Sequence, residues 1–270
     1  MSRLAVRKTY KLWIGGAFVR SESGRYDEAD GINYPRGSRK DIRDAVAAAR
    51  KAAKPWAART AYNRGQILYR AAEALESRAG VMGVPREEVD AAVDVLLHYA
   101  GWTDKLQPVL GGINPVAAPF LSFSLPEPTG VVGIVAPDAP PLLGLIAELS
   151  PALAGGNVCV AVLSENHPLP GLDLAEALGV SDVPAGVINL VAGRRQELAT
   201  ALAAHRDLNA ILDAAGDAEL SAELDRLAAE TIKRVRHGDA ATSYEDATDD
   251  ALERLEAVTE LKTAWHPVGA

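Results

Sequence analysis

The chain has 270 residues, 48% of them apolar and 24% charged, the composition of an ordinary soluble globular protein with room for one or two domains. Its formal charge of −8 disfavours a broad electrostatic grip on nucleic acid or on an anionic membrane. A single cysteine, Cys159, excludes an intramolecular disulfide, and no uncharged apolar run is long enough to span a membrane.

In chain order, the N-terminus carries Arg3, Arg7 and Lys8 but no apolar run, so no signal peptide is read and a cytoplasmic location is expected. A hairpin follows: residues 10–14 alternate, Gly15 and Gly16 supply the turn, and residues 17–20 return. A loop rich in Gly, Ser and Asp then runs to about Gly37. Ser38 and Asp41 have capping-box spacing, and behind them Ile42, Val46, Ala49, Ala53 and Trp56 fall on one helical face. A second amphipathic helix is read over 60–79 and a third from Pro85, striped by Val89, Val93, Leu96 and Leu97. Gly111 and Gly112 read as a turn in a Pro-rich loop.

From Pro126 the pattern changes to short apolar runs alternating with helices. Strands are predicted over 130–136, 157–163, 187–191 and 208–212, with helices over 141–154, 172–178, 195–204 and about 219–235 between and after them. Strands that are apolar throughout argue a parallel sheet covered on both faces, a doubly wound α/β domain. Residues 241–250 are polar, with Glu245, Asp246, Asp249 and Asp250 read as a solvated linker. Residues 251–261 could form a helix and 262–270 are extended, so the expected division is a domain at 1–240 and a tail at 241–270. A terminal segment carrying Trp265 must dock, on its own domain or on a partner.

The segments beginning at Pro128 (PTGVVGIVAP), Ser150 (SPALAGGN), Ser164-Glu165 with Pro168, and Val183 (VPAGVINLVAG) resemble, in order and spacing, those of the aldehyde dehydrogenase superfamily. Leu12 to Gly16 and His98 to Lys105 also look like family segments. The stretch from Lys8, the start of the first helix at Arg39, and the tail Lys262 to Gly269 look like the degenerate second half of two-domain members. The resemblance implies a Rossmann-like nucleotide-binding domain with an N-terminal hairpin and helices and a C-terminal docking tail. It also leads to the expectation that the family's catalytic domain is absent.

Residue by residue, the resemblance implies losses. The family's nucleophilic cysteine has no match, since Cys159 sits mid-strand, where a cysteine behaves as a small apolar residue. The oxyanion asparagine of the family is Ala139 here, beside Asp138, whose charge has the wrong sign for a developing oxyanion. The ribose-binding lysine is Val162, while Glu165 remains. The phosphate turn reads Asp213 to Gly216, and Asp213 repels phosphate. The general-base glutamate has no counterpart, and Glu219 and Glu223 read as surface charges. Five scattered histidines offer no pair at metal-ligand spacing, and Ser164, Glu165 and His167 lack a nucleophile elbow.

These readings lead to an expected pseudoenzyme with no catalytic and no metal residues. Its vestigial pocket is Val162, Glu165 and Gly193, and its interface residues are Lys262, Trp265, His266 and Val268. NAD or NADP would be held by the partner subunit, a full-length active aldehyde dehydrogenase in a hetero-oligomer. Two alternatives stay open at this stage: a residual NAD-dependent aldehyde dehydrogenase, and a regulatory nucleotide-binding module.

Overall fold

The computed structural model describes residues 8–238, 244 and 248–268. Arg3 and Arg7, Glu245 and Asp246 of the acidic cluster, and Gly269 and Ala270 of the tail lie outside the described residues.

The N-terminal hairpin pairs β1 (Leu12–Ile14) with β2 (Ala17–Val19) through a turn in which Gly15 and Gly16 both take positive φ. Gly16 is also a close approach, since a Cβ there would lie 2.6 Å from that of Ala185. The segment expected as loop contains a second hairpin, β3 (Tyr26–Ala29) and β4 (Ile32–Pro35), turning at Asp30 and Gly31, both left-handed. The one-sided, partly exposed alternation of so short a pair left little periodicity to read.

Helix α1 (Arg39–Ala57) opens with the capping box: Ser38 accepts from the Asp41 amide, and Asp41 accepts from the Ser38 amide at 2.8 Å. Its apolar stripe buries Ile42, Val46, Ala49 and Trp56 against the sheet. Helix α2 (Ala61–Glu76) is capped by Thr60 and ends short of the expected Ala79, where Ser77 closes the last turn. Helix α3 (Arg86–Trp102) starts after Pro85, a short α4 (Leu106–Leu110) follows, and Gly112 then opens β5 (Gly112–Asn114) instead of a turn.

The doubly wound part has β6 (Phe120–Pro128) leading into β7 (Val131–Val135), then α5 (Pro141–Ala154), β8 (Val158–Val162), α6 (Leu169–Leu178), β9 (Ile188–Val191), α7 (Arg195–Ala203) and β10 (Ala210–Asp213). Helix α8 (Ala218–Ala229) stops six residues before the expected end at Val235, because Ile232 takes a left-handed φ and Arg234–His237 forms a further strand, β11. That strand is polar and lies at the edge of the sheet, so it shows none of the apolar signature of the central strands. The seven strands run β11-β10-β7-β8-β9-β1-β2, parallel from β11 to β9 and antiparallel where the hairpin joins β9.

Every residue of β7, β8, β9 and β10 is buried, as expected for strands covered on both faces. Helices α1 and α7 cover one face, while α5 and α6, backed by α2 and α3, cover the other. Burying each large side chain in these layers stabilises the fold by about 1.5–3 kcal/mol. Strand order reverses between β7 and β10, so the crevice of this fold opens at their carboxyl ends.

The tail differs from its expected form. Helix α9 covers only Ala251–Glu256, and β12 starts at Thr259 and runs to Pro267. Strand β12 pairs antiparallel with β6 along its whole length, from Thr259 opposite Pro128 to Pro267 opposite Phe120, in a three-stranded sheet ordered β12-β6-β5. The docking therefore occurs within the chain itself. It is anchored by the buried Leu255 and Val258 and by Arg254, 3% exposed, which bonds Glu148 of α5 at 2.9 Å and Asp250 at 2.6 Å.

Candidate functional site

The carboxyl ends of β7, β8, β9 and β10 bring Asp138, Val162 to Glu165, Gly193 and Asp213 to one edge of the sheet. Backbone amides at helix starts face such an edge and make it a natural anion site. Here the chain's own carboxylates take those amides. At α5, Glu88 of α3 accepts from the Leu142 and Leu143 amides at 2.8 and 3.1 Å. At α7, Glu165 accepts from the Arg195 amide at 2.7 Å and from the Arg194 guanidinium at 3.1 Å. At α8, Asp217 accepts from the amides of Glu219 and Leu220.

The floor between these helices is filled by an ion-paired cluster centred on Asp138. Its carboxylate accepts from Ser164 Oγ at 2.6 Å, from Asn166 Nδ2 at 2.8 Å and from the guanidinium of Arg195, which also reaches the Ala136 carbonyl. Burial opposes the charge, but the donors of Arg195 and Ser164 outweigh it and hold the Asp138 pKa below the ordinary carboxylate value. A cavity of about 420 Å³ adjoins this cluster, bounded by Glu88, Asp138, His167 and Asp173 among others. Tyr10 donates to Asp173 at 3.1 Å and Lys8 pairs with the same carboxylate, so the polar wall of that cavity is also internally partnered.

Asp213, 1% exposed, ends β10 where the fold would present a phosphate turn. It accepts from the Ala215 amide at 3.1 Å, from Ser221 Oγ at 2.6 Å and from His237, which also contacts Asp225 at 2.9 Å. The turn amide is thus bound by a carboxylate. Partial burial works against a charge on His237, but its bonds to Asp225 and Asp213 win and raise its pKa above 6.5.

Among the residues expected at a site, Val162 is a fully buried end of β8 between Val135 and Val191. Gly193, which approaches Gly37 so closely that a Cβ would lie 3.0 Å from its amide, places Arg194 and Arg195 next to Glu165. Cys159 is fully buried in β8, and burial drives its thiol pKa far above the ordinary value. Glu223 pairs with Arg226 on the surface of α8, and Glu219 heads the same helix. Lys262, Trp265, His266 and Val268 belong to the other sheet. There Lys262 reaches Glu127 at 3.2 Å, Trp265 meets Phe120 edge-on at 6.0 Å, and Val268 donates to the Pro119 carbonyl.

Glu88, Asn166 and Arg195 were missed by sequence reasoning. One signal was available: two adjacent arginines directly after Gly193, in a crevice already carrying the unpaired charges of Asp138 and Glu165. A nicotinamide dinucleotide does not fit this donor set. Glu165, which the resemblance puts at the ribose, is bound to a helix start and an arginine, an apolar Val162 stands where it puts a lysine, and Asp213 sits where it puts the phosphate turn.

A doubly wound domain with its crevice at this switch point is of the nucleotide-binding class. The model of the aldehyde dehydrogenase family matches residues 25–238, and the chain belongs to that family. It is 34% identical to the mitochondrial aldehyde dehydrogenase of Rattus norvegicus over 191 residues, which is 65% of this chain and 36% of that protein. It is 31% identical to the omega-crystallin of Enteroctopus dofleini over 226 residues, 76% of this chain and 45% of that one. The NAD+ complex of aldehyde dehydrogenase from Bacillus cereus superimposes with a TM-score of 0.80 at 29% identity, covering 85% of this chain and 50% of the other. The chain spans about half the length of such relatives or less. No helix among the described residues is long and apolar enough to cross a membrane.

Proposed function

We propose that the chain is a non-catalytic subunit that assembles with an active NAD(P)-dependent aldehyde dehydrogenase and supports or regulates it. The observation that carries the reading is the self-filled crevice: Glu88, Glu165, Asp217 and the Asp138–Arg195 pair occupy the amides and space a dinucleotide would need. A cofactor phosphate arriving there would meet a carboxylate at each of these three helix starts, which repels it and already accepts from amides it would use. Cys159 offers no thiolate, because it lies inside the central sheet.

Assembly is supported by the arm formed of β5, β6 and β12. It exposes Ile113 at 77%, Leu261 at 59% and Trp265 at 60%, and β12 is one of its two edge strands, unpaired on its outer side among the described residues. Soluble proteins seldom leave apolar side chains around an open strand edge unless another strand covers it.

The test has two parts. Calorimetric titration of the chain with NAD+ and NADP+ is expected to give no heat of specific binding, whereas saturable binding would move the chain to the dinucleotide-binding readings. Co-expression with the host's full-length aldehyde dehydrogenase is expected to give a mixed oligomer of discrete mass. Separate elution of the two proteins at all ratios would overturn the subunit reading.

A further inference from the structure

Charge is distributed unevenly along this chain. Residues 45–72 hold Arg50, Lys51, Lys54, Arg59, Arg64 and Arg70 and no carboxylate, so all 36 acidic residues lie elsewhere in a chain of formal charge −8. The fold turns that run into a surface. Helix α1 starts at the carboxyl edge of the sheet, where Gly37 donates to the Ala192 carbonyl at 2.7 Å, and its second half therefore reaches the amino edge. Arg50 there donates to Asn209 Oδ1 at 2.7 Å, just ahead of β10. Arg64 of α2 donates to the Ala154 carbonyl at 3.3 Å, where α5 ends and the chain turns into β8. The carboxylates that close the crevice stand at the opposite edge.

Lys51, Lys54 and Arg59 are exposed and pair with no carboxylate among the described residues. The guanidinium of Arg59 donates to Asn63 Oδ1 at 2.6 Å, a neutral acceptor that leaves its charge uncompensated. From Arg59 a groove of about 970 Å³ runs between α2 and α3. Tyr62 and Tyr69 line it, 71% and 53% exposed, with no ring partner among the described residues. Seven residues apart, they share one face of α2 and stand about 10 Å from each other along its axis. The groove also holds Asp104 and Asp182, but Lys105 pairs with the first at 3.2 Å, while Arg70 reaches the second at 3.8 Å and also pairs with Glu73. The surface is thus cationic at the α1–α2 corner and close to neutral, with two bare rings, further along.

We propose that this surface binds a short stretch of single-stranded nucleic acid, with phosphates on Lys51, Lys54 and Arg59 and two bases stacked on Tyr62 and Tyr69. Unpaired cations beside exposed aromatic rings are what a single strand requires, since the charges hold the backbone and each ring takes a base of any identity. The division of the groove favours this ligand over an acidic protein segment. A strand of nucleotides can place its charge at the corner and its uncharged bases in the neutral part, whereas carboxylates continuing along the groove would meet Asp104 and Asp182. A duplex keeps its bases stacked on one another, away from the rings, and the net negative charge of the chain repels a long polyanion outside the patch. Neither the arm nor the crevice takes part, so binding is expected with or without the partner subunit proposed above.

The experiment is a fluorescence-anisotropy titration of short labelled oligo(dT) and oligo(U) with the purified full chain at several salt concentrations. Saturable binding is expected, with the logarithm of affinity falling against the logarithm of salt at a slope of about −2, from about 0.7 for each of three phosphate contacts. Tyr62→Ala and Tyr69→Ala are each expected to weaken binding about tenfold at unchanged slope, and Tyr62→Phe, which keeps the ring, to restore it. Lys54→Gln is expected to weaken binding and to flatten the slope by about 0.7. All of these side chains are exposed, so the substitutions leave the core intact. Absence of saturable binding at low salt would overturn the proposal, and so would equal affinity for a duplex of the same length. Polyglutamate that binds as tightly as the oligonucleotides, with Tyr62→Ala indifferent to both, would assign the patch to an acidic protein segment and overturn it as well.

Discussion

Cys159 and His237 show how differently two reactive side chains can be used by this scaffold. The thiol lies in β8 with both flanking strands in place and no exposure, and its backbone carbonyl accepts from Asn189 at 3.1 Å. It is packing material. Replacing it with serine buries a hydroxyl among the apolar side chains of the central sheet, so Cys159→Ser is expected to cost about 1–3 kcal/mol of unfolding free energy. Equilibrium denaturation in urea checks this. The same protein should react with a maleimide only after unfolding, and rapid labelling of the native chain would contradict the burial.

His237 is a charge device on the surface. Its folded pKa lies above its ordinary 6.5, so its contribution to stability is fully present below that value and fades as pH rises through the folded value. The ring is partly exposed, and solvent screening limits the pairs to Asp213 and Asp225 to about 0.5–1 kcal/mol. His237→Gln is therefore expected to lower the melting temperature at pH 6 and to have a much smaller effect at pH 9. An equal effect at both would mean that the imidazolium charge plays no part. Departures from the motifs of the resemblance, as at Ala139 and Val162, were legible in the sequence because each is a change of residue type at a spaced position. The filling of the crevice was not legible, because Glu88 and Asp138 come together only through packing of α3 against α5, far apart in the chain.

At the scale of elements, legibility followed burial. Helix α5 and the strands β7 to β10 were readable because continuous apolar runs can be accommodated only under cover on both faces. Strand β11 and the start of β12 were not, since both are edge strands whose residues are charged or polar, and α8 and α9 were extended into them. What fixes the tail is tertiary: the guanidinium of Arg254 is buried between Glu148 and Asp250, with the Tyr244 ring 5.7 Å from it. Glu148, 1% exposed, is also paired with Arg236 of β11, so α5, α9 and β11 share one ionic core. Removing Arg254 takes one of its two cations from the buried Glu148 and leaves the carboxylate only partly compensated, which costs about 1–3 kcal/mol. Arg254→Met should therefore destabilise the chain by that order in denaturant titrations and increase amide exchange along β12, which α9 positions. Unchanged exchange in β12 would show that the β6 pairing alone holds the arm.

At the scale of the whole molecule, the proposed function makes the crevice a structural element of the fold. A catalytic crevice keeps donors and charges unpaired for its ligands, and this readiness lowers stability, so substitutions there commonly raise it. In this chain the crevice is closed by its own ion pairs, and its residues should behave as structural ones. Arg195→Ala removes the main counter-ion of Asp138 and an anchor between β7 and α7, so it should destabilise by about 1–3 kcal/mol where the same truncation at a ligand site would be neutral or stabilising. Because the Asp138 pKa is held below the ordinary 3.8, this contribution is full above that value and is lost as pH falls through the folded pKa. The gap between wild type and Arg195→Ala should therefore stay constant from pH 8 to pH 5 and close only in stronger acid. A gain in stability, or a gap that closes near neutrality, would mean that the Asp138–Arg195 pair is held open for a ligand after all.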